Sequence, residues 1–267
     1  VIIQIRALFR AAFLTDVSYR VAMMTSLVGL AATTVPVYFI SRAVQPVVAE
    51  SIRTQGGQYF GFVLIGMLVL NFVNSACTAI PGAVSSGIRT GTLEVLLATP
   101  TNVPTLLAGM AAYPLTWTLI RGLVLLAAGQ MLGAHFAWAG MLPALAVLVL
   151  LVLAHLPFGL LGAAMLLVFR TTGPLSQGVV VLSLLLGGVY YPTEVIPAGF
   201  GVAANFLPLT YGLRAIRSVF LGSAAPGVIA GDVGILLLFT VGLTLIGWAA
   251  LAAALRHARR NGALAHY

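Results

Sequence analysis

Long apolar stretches separated by short polar breaks run along most of this chain of 267 residues. Six of them, at about 21–41, 58–82, 105–132, 141–169, 174–192 and 228–255, approach or exceed the ~20 residues that carry a helix across a bilayer. One such stretch could be a buried helix of a soluble protein; six in succession predict an all-α polytopic membrane protein. Ahead of the first, residues 1–20 place Val1, Ile5, Leu8, Ala12 and Tyr19 on one helical side and Arg6, Arg10 and Arg20 on another. The amphipathicity is imperfect, because Ile2, Phe13 and Val17 fall near the arginines. An interfacial helix is expected, its arginines snorkelling to lipid phosphates, with a cytosolic extension of the first span as the alternative.

The stretch 193–227 breaks the pattern. It is too long for a turn and too apolar for a solvated loop, and Pro192, Pro197, Pro208 and Pro226 punctuate it. Non-helical backbone at membrane depth survives only where protein buries it or water reaches it. Two short re-entrant or interfacial helices before the last span are expected here.

Composition sharpens the class. Hydrophobic residues make up 61% of the chain and charged residues only 7%, against roughly 25% charged in soluble domains. The net charge of +8 comes from 13 arginines with no lysine. A P-loop of the usual kind needs a lysine at the phosphates, and a Schiff-base enzyme needs one as nucleophile, so both are excluded. The arginines flank the spans rather than forming one patch, which argues for membrane topology and against nucleic acid. Cys77, the sole cysteine, sits in a span and allows no intrachain disulfide. The first span is too long for the core of a cleavable signal, so the N-terminus reads as retained.

Charges in the connections set the orientation. Arg6, Arg10, Arg20, Arg89, Arg170, Arg256, Arg259 and Arg260 fall on one side. Arg42 and Arg53 with Glu50, then Glu194, Arg214, Arg217 and Asp232, fall on the other. The positive-inside rule makes both termini, including the tail 256–267, cytoplasmic.

On the cytoplasmic side, loop 85–100 reads SSGIRTGTLEVLLATP. Gly87 and Gly91 permit turns, Leu93, Leu96 and Leu97 share one face of a short helix beside Glu94, and Pro100 helps to end it. That apolar face must be buried, either against the chain's own spans or in a groove on a partner. The run GTLEVLLATP resembles the loop between the second and third spans of ABC-2 type permeases of ABC transporters. The stretch 187–222, GGVYYPTEVIPAGFGVAANFLPLTYGLRAIRSVFLG, resembles that family's segment before the last span. With the number and orientation of spans, the resemblance covers nearly the whole chain, 21–260 corresponding to the six-span domain.

The resemblance implies a permease half of an exporter in a bacterial inner membrane. Two copies of a separate ATPase subunit would bind ATP and Mg, and a second permease copy or a paralogue would complete the path. It implies a coupling helix at Arg89, Gly91, Thr92, Leu93, Glu94, Leu97 and Pro100, and no cofactor or catalytic residue on this chain. Family members often carry an acid shortly before the GTLE run; Ser86, Gly87 and Ile88 stand there, leaving Glu94 as the loop's carboxylate. The family's outer gate would fall at Tyr190, Tyr191, Pro192, Pro197, Pro208 and Tyr211, where interfacial tyrosines also settle for physical reasons alone.

Polar groups inside the spans complete the candidates. Asn71, Asn74, Ser75 and Thr78 recur at i, i+3, i+4 and i+7, so they share a face that either bonds to neighbouring helices or lines a path. Arg121 lies mid-span without a carboxylate at its depth, and reads as a structural or snorkelling residue or as a contact for lipid or substrate. His155 beside Pro157 reads as a packed histidine near a kink, and Gly129 with Gly133 as a helix-packing pair. The scattered histidines His135, His155, His257 and His266 and the sparse acids offer neither metal-ligand spacing nor an acid–base pair. An ion-coupled secondary transporter or channel is the alternative function, although the two halves show no correspondence.

Overall fold

The computed structural model describes residues 2–53, 57–169, 174–221 and 226–260, and the described chain is helical without strands. The helices are α1 (Ile2–Ser18), α2 (Arg20–Val48), α3 (Tyr59–Arg89), α4 (Thr92–Ala98), α5 (Val103–Met131), α6 (Met141–Phe169), α7 (Pro174–Leu186), α8 (Ala198–Ala204), α9 (Pro208–Phe220) and α10 (Pro226–Arg260). Five of them, α2, α3, α5, α6 and α10, are long and apolar enough to cross a membrane.

The expected span at 174–192 is shorter than its apolar run suggested. Helix α7 has 13 residues, which span about 20 Å, and ends at Leu186. Gly187 follows with no room for a Cβ, which would lie 2.4 Å from Ser183 O, and Gly188 turns the chain at φ +78°. Arg170, residues 222–225 of the outer segment and 261–267 of the tail lie outside the described residues, as do the side chains of Arg20, Glu94, Leu97, Arg259 and Arg260.

Helix α3 is the hub. It packs against α2, α4, α5, α6, α7 and α9, and its apolar residues are buried on all sides, as expected of a helix hydrophobic all round. Phe60, Leu64, Ile65, Leu68, Val69, Phe72 and Val73 meet Leu125 of α5, Leu148 and Leu151 of α6, and Leu209, Leu213 and Phe220 of α9 in one core. Helix α10 lies along α6 on the opposite flank. Small residues set these approaches. Gly129 of α5 receives Leu64, whose Cδ1 would stand 2.4 Å from an added Cβ. Gly133, expected to pack with it, instead lies beyond the end of α5 at φ +92°.

At the end of α3 away from α4, the irregular backbone after α7 is tied down by Arg217. This side chain, 2% exposed, is held among carbonyls rather than carboxylates. Its Nη1 donates to Gly188 O at 2.7 Å, its Nη2 to Val189 O at 2.8 Å and Phe62 O at 2.9 Å, and its Nε to Phe62 O at 3.2 Å. The guanidinium also stacks on Phe62, 3.4 Å from the ring centroid, a cation–π contact in a desolvated setting. Gly66 makes the approach possible, because a Cβ there would lie 2.4 Å from Val189 O and 2.8 Å from Arg217 Nη2. One turn earlier on α9, Arg214 binds Asp232 of α10 through two hydrogen bonds, with Nε to Oδ2 at 2.8 Å, and so fastens the last span to the same clasp.

Gly66→Ala should lower the thermal midpoint in mild detergent by the equivalent of about 1–3 kcal/mol, the cost of overpacking. Gly29→Ala, where nothing lies within 4 Å of the added Cβ, should be neutral or slightly stabilising. Equal midpoints for the two variants would show that the clasp tolerates the extra methyl.

Candidate functional site

The candidate coupling loop grows directly out of α3. With 31 residues α3 is about 46 Å long, so its last turns outreach the ~30 Å hydrocarbon layer. Arg89 stands exposed in the final turn, where a cation complements the helix dipole. Thr90 bonds back to Ser86 O at 2.9 Å and forward to the Thr92 hydroxyl at 2.8 Å. Gly91, at φ +69°, reverses the chain into α4. Thr99 closes α4 through its hydroxyl on Leu96 O at 2.7 Å and takes the extended conformation expected before Pro100.

The seven-residue helix is amphipathic in an unexpected sense. Leu93 faces inward at 4% exposure, within van der Waals reach of Gly87, and joins Val84, Leu107, Leu167 and Leu251 in a core beneath the loop. It is therefore an internal anchor. Val95 is 67% exposed, and Thr92, Ala98, Thr99 and Pro100 are exposed with it. The surface that α4 presents is centred on Val95. The side chains of Glu94 and Leu97 lie outside the described set.

Helix α1 reinforces this end. It packs along α5, with the Leu8 side chain filling the space above Gly109, where a Cβ would lie 2.4 Å from Leu8 Cδ1. Tyr113 donates to Asp16 Oδ2 at 2.7 Å, with Phe9 and Phe13 edge-on to its ring. Gln4 reaches Thr101 at 3.2 Å, tying the helix to the segment leaving α4. Arg6 and Arg10 stay exposed, as an interfacial helix requires.

The polar stripe of α3 divides. Asn71 donates to Met67 O at 2.8 Å and Thr78 to Asn74 O at 2.7 Å, so both bond within their own helix. Ser75 is buried and Asn74 exposed. Arg121 is partly buried and donates to Ser26 of α2 at 3.2 Å, a bond that joins α2 to α5. His155 is fully buried and donates through Nδ1 to Leu151 O at 2.8 Å.

At the opposite end the candidate gate residues bond to backbone. Tyr191 donates to Leu185 O, Tyr211 to Asn205 O at 3.0 Å, and the carbonyl of Tyr190 accepts from Tyr59 at 2.9 Å. Pro192 and Pro208 are buried, Pro208 opening α9, while Pro197 is exposed ahead of α8. These residues build the outer segment around α8 and α9. Arg217 and Arg214 were legible only as charges on the outer side; the Arg-x-x-Arg spacing one turn apart on α9 was the available signal. Gln45 and Gln58 were not singled out at all. Gln45 spans Gly57 O at 2.8 Å and the Tyr59 N–H at 2.7 Å. Gln58 does the same for Gly133 O at 2.7 Å and the His135 N–H at 2.9 Å.

Comparison with known proteins agrees with this architecture. The family model for the ABC-2 type transporter matches residues 3–221, which includes α1 to α9, and the chain belongs to that family. That family is one of transporter membrane proteins, in keeping with the five helices long and apolar enough to cross a membrane. The chain is also similar to Nodulation protein J of Rhizobium leguminosarum bv. trifolii, with 27% identity over 171 residues, 64% of this chain. The match spans 65% of that relative's length.

Tyr113→Phe removes a hydrogen bond to a charged acceptor, worth about 1.5–3 kcal/mol. Deuterium uptake over residues 2–18 should rise while that of α6 stays unchanged. Unchanged uptake in α1 would mean that packing of Leu8 and the aromatic rings holds it without the bond.

Proposed function

We propose that this ABC-2 type chain is the permease of an ATP-driven exporter that moves a lipid, drug or glycan-type substrate outward, coupled through α4 to a separate ATPase subunit. The observation that carries the reading is the build of the loop after α3. A short helix is pinned from within by Leu93, closed at its C-terminal end by the Thr99 hydroxyl on Leu96 O, and left with Val95 facing out. An exposed apolar residue on a rigid, membrane-external helix suits a groove on a partner better than water. Family membership supports an ABC ATPase as that partner, acting in two copies with ATP and Mg bound between them. A second permease copy or a paralogue would complete the path, in a bacterial inner membrane with both termini cytoplasmic. The exposed apolar residues of α2 and α10 supply surface for lipid or for that second permease.

Hydrolysis belongs to the partner in this scheme. The permease contributes differential contacts to its inward- and outward-facing states, which is all a ligand-driven equilibrium can use. An ion-coupled carrier, the alternative, would need a carboxylate free to exchange a cation. The buried carboxylate of α10, Asp232, is already committed to Arg214.

Affinity purification from the native membrane in mild detergent should recover a stoichiometric P-loop ATPase with vanadate-sensitive ATP hydrolysis. Val95→Asp should abolish that recovery while leaving the permease's thermal midpoint unchanged. Leu93→Asp should instead lower the midpoint by about 3 kcal/mol or more, because it buries a charge without a partner. A chain that purifies reproducibly without an ATPase would overturn the coupling assignment and bring the secondary transporter or channel forward.

A further inference from the structure

At the end of the molecule opposite α4, a cavity of about 290 Å³ lies between the end of α2, the start of α3 and the turn after α5. Its wall includes Tyr38, Ser41, Arg42, Gln45, Gln58 and Phe60. The volume is near the lower end for small-molecule sites, which start at about 300 Å³.

The wall is built rather than incidental. Tyr38 is fixed edge-on against Phe60, with ring centroids 5.2 Å apart, and presents its face to Arg42, whose Cζ is 5.5 Å from the ring centre. The two glutamines are each held at both ends of the amide by backbone groups, Gln45 at Gly57 and Tyr59, Gln58 at Gly133 and His135. The amide nitrogen of Gln45 keeps a second N–H in a fixed position, whereas that of Gln58 also lies 3.5 Å from His135 Nδ1.

Two polar groups in this wall have no hydrogen-bond partner among the described residues. Arg42 makes no hydrogen bond or ion pair among the described residues; the nearby Arg53 pairs with Glu50 at 3.6 Å. Ser41 is 2% exposed, and its hydroxyl has no hydrogen-bond partner among the described residues. A helical serine or threonine ordinarily satisfies itself on the carbonyl four residues back, as Thr34 does on Leu30 O at 2.7 Å. A buried hydroxyl left unpaired costs about 1–3 kcal/mol, so its place in the same cavity wall as the exposed Arg42, which makes no hydrogen bond among the described residues, points to a ligand.

We propose that this cavity binds a phosphate-type oxyanion carried as the headgroup of an amphiphile. Arg42 supplies the charge and a planar donor fork, Ser41 a hydroxyl donor, and the second N–H of Gln45 a further donor. Tyr38, Phe60 and Leu132 offer an apolar flank for the attached body, and Phe39 and Ile40 lie exposed along the same turn of α2. The assignment goes beyond the proposed exporter function and holds whichever way the substrate moves.

The test is ligand-dependent thermal stabilisation of the detergent-purified permease, titrated separately with dihexanoyl phosphatidic acid and with inorganic phosphate. Phosphatidic acid should stabilise the wild type. Arg42→Gln should weaken its apparent affinity at least about tenfold, the scale of a hydrogen bond to a charged group, and Arg42→Lys should recover part of the loss. Ser41→Ala should weaken affinity about threefold yet leave the unliganded midpoint equal or higher, since it removes an unpaired buried hydroxyl. That opposition of sign separates a ligand site from a structural role. Arg53→Gln, on the exposed neighbouring turn, should change nothing. Stabilisation by inorganic phosphate with the same dependence on Arg42 would keep the oxyanion site and make the soluble anion its source. Loss of affinity equal in Arg42→Gln and Arg53→Gln would reduce the effect to general surface charge and overturn the site, as would no stabilisation by either probe.

Discussion

A polypeptide that leaves helical geometry inside or near a bilayer must find hydrogen-bond partners for its carbonyls within the protein. In this chain that demand falls on residues 187–192, where α7 ends short of a full crossing, and Arg217 meets it. A guanidinium carries five donors and no acceptor, so one side chain can serve several carbonyls at once and keep its charge without a carboxylate. Four of its hydrogen bonds go to the carbonyls of Phe62, Gly188 and Val189. Losing Arg217 would strand those carbonyls, and losing Gly66 would push the loop off them.

Once that clasp is set, the rest of the end opposite α4 follows from it. Arg214, three residues before Arg217 on α9, is directed at α10, and its pair with Asp232 gives the last span a fixed register. Phe220 then ends α9 stacked on Phe136, and its carbonyl accepts from the Ala137 N–H at 2.8 Å, which carries the order to the turn before α6. Gln45 and Gln58 extend the same solution to the turn before α3 and the turn after α5. The end opposite α4 is therefore cross-linked largely by side chain to backbone bonds, with the Arg214–Asp232 pair beside them. At the α4 end the fastening is an apolar core beneath the loop, with the Tyr113–Asp16 and Gln4–Thr101 bonds holding α1. The two ends differ in the kind of force that holds them, and apolar contacts, being non-directional, tolerate sliding better than bonds of fixed geometry.

The elements were legible where a period or a charge announced them. Apolar runs gave five spans close to their observed bounds, and the arginine-flanked start gave α1. The turn residues Gly91 and Pro100 gave α4 its limits. What the sequence could not supply was the direction in which a short helix faces. Leu93, Leu96 and Leu97 share a helical side by spacing, and only the position of Gly87 decides that Leu93 points into the chain. The same holds for arginine. Position within a span identifies Arg121 as costly and leaves Arg214 and Arg217 as charges in a connection, but their partners are Ser26, Asp232 and three carbonyls, distant in sequence and, for the carbonyls, invisible in composition. The apolar run at 174–192 misled because Gly187 and Gly188 count as apolar by hydropathy while breaking the helix by conformation.

Helix α3 is what lets the two ends matter to one another. It begins at the clasp, where the carbonyl of Phe62 is held by Arg217, and ends in Arg89, one turn from α4. Between them it is a single buried rod whose internal break in hydrogen bonding falls at Pro81, close to the α4 end. A force applied to α4 therefore meets a short, proline-weakened segment first and a long, firmly packed one beyond it. Side chains around Pro81, Val84 and Leu93 belong to the apolar core beneath the loop, which can shift by repacking. Those around Phe62 and Gly66 are bound by geometry and move only as a body with α7 and α9. Movement that begins at α4 would thus reach the opposite end as rigid displacement of α3, α7 and α9 together, the arrangement in which a change at one membrane face is felt at the other without unfolding anything between.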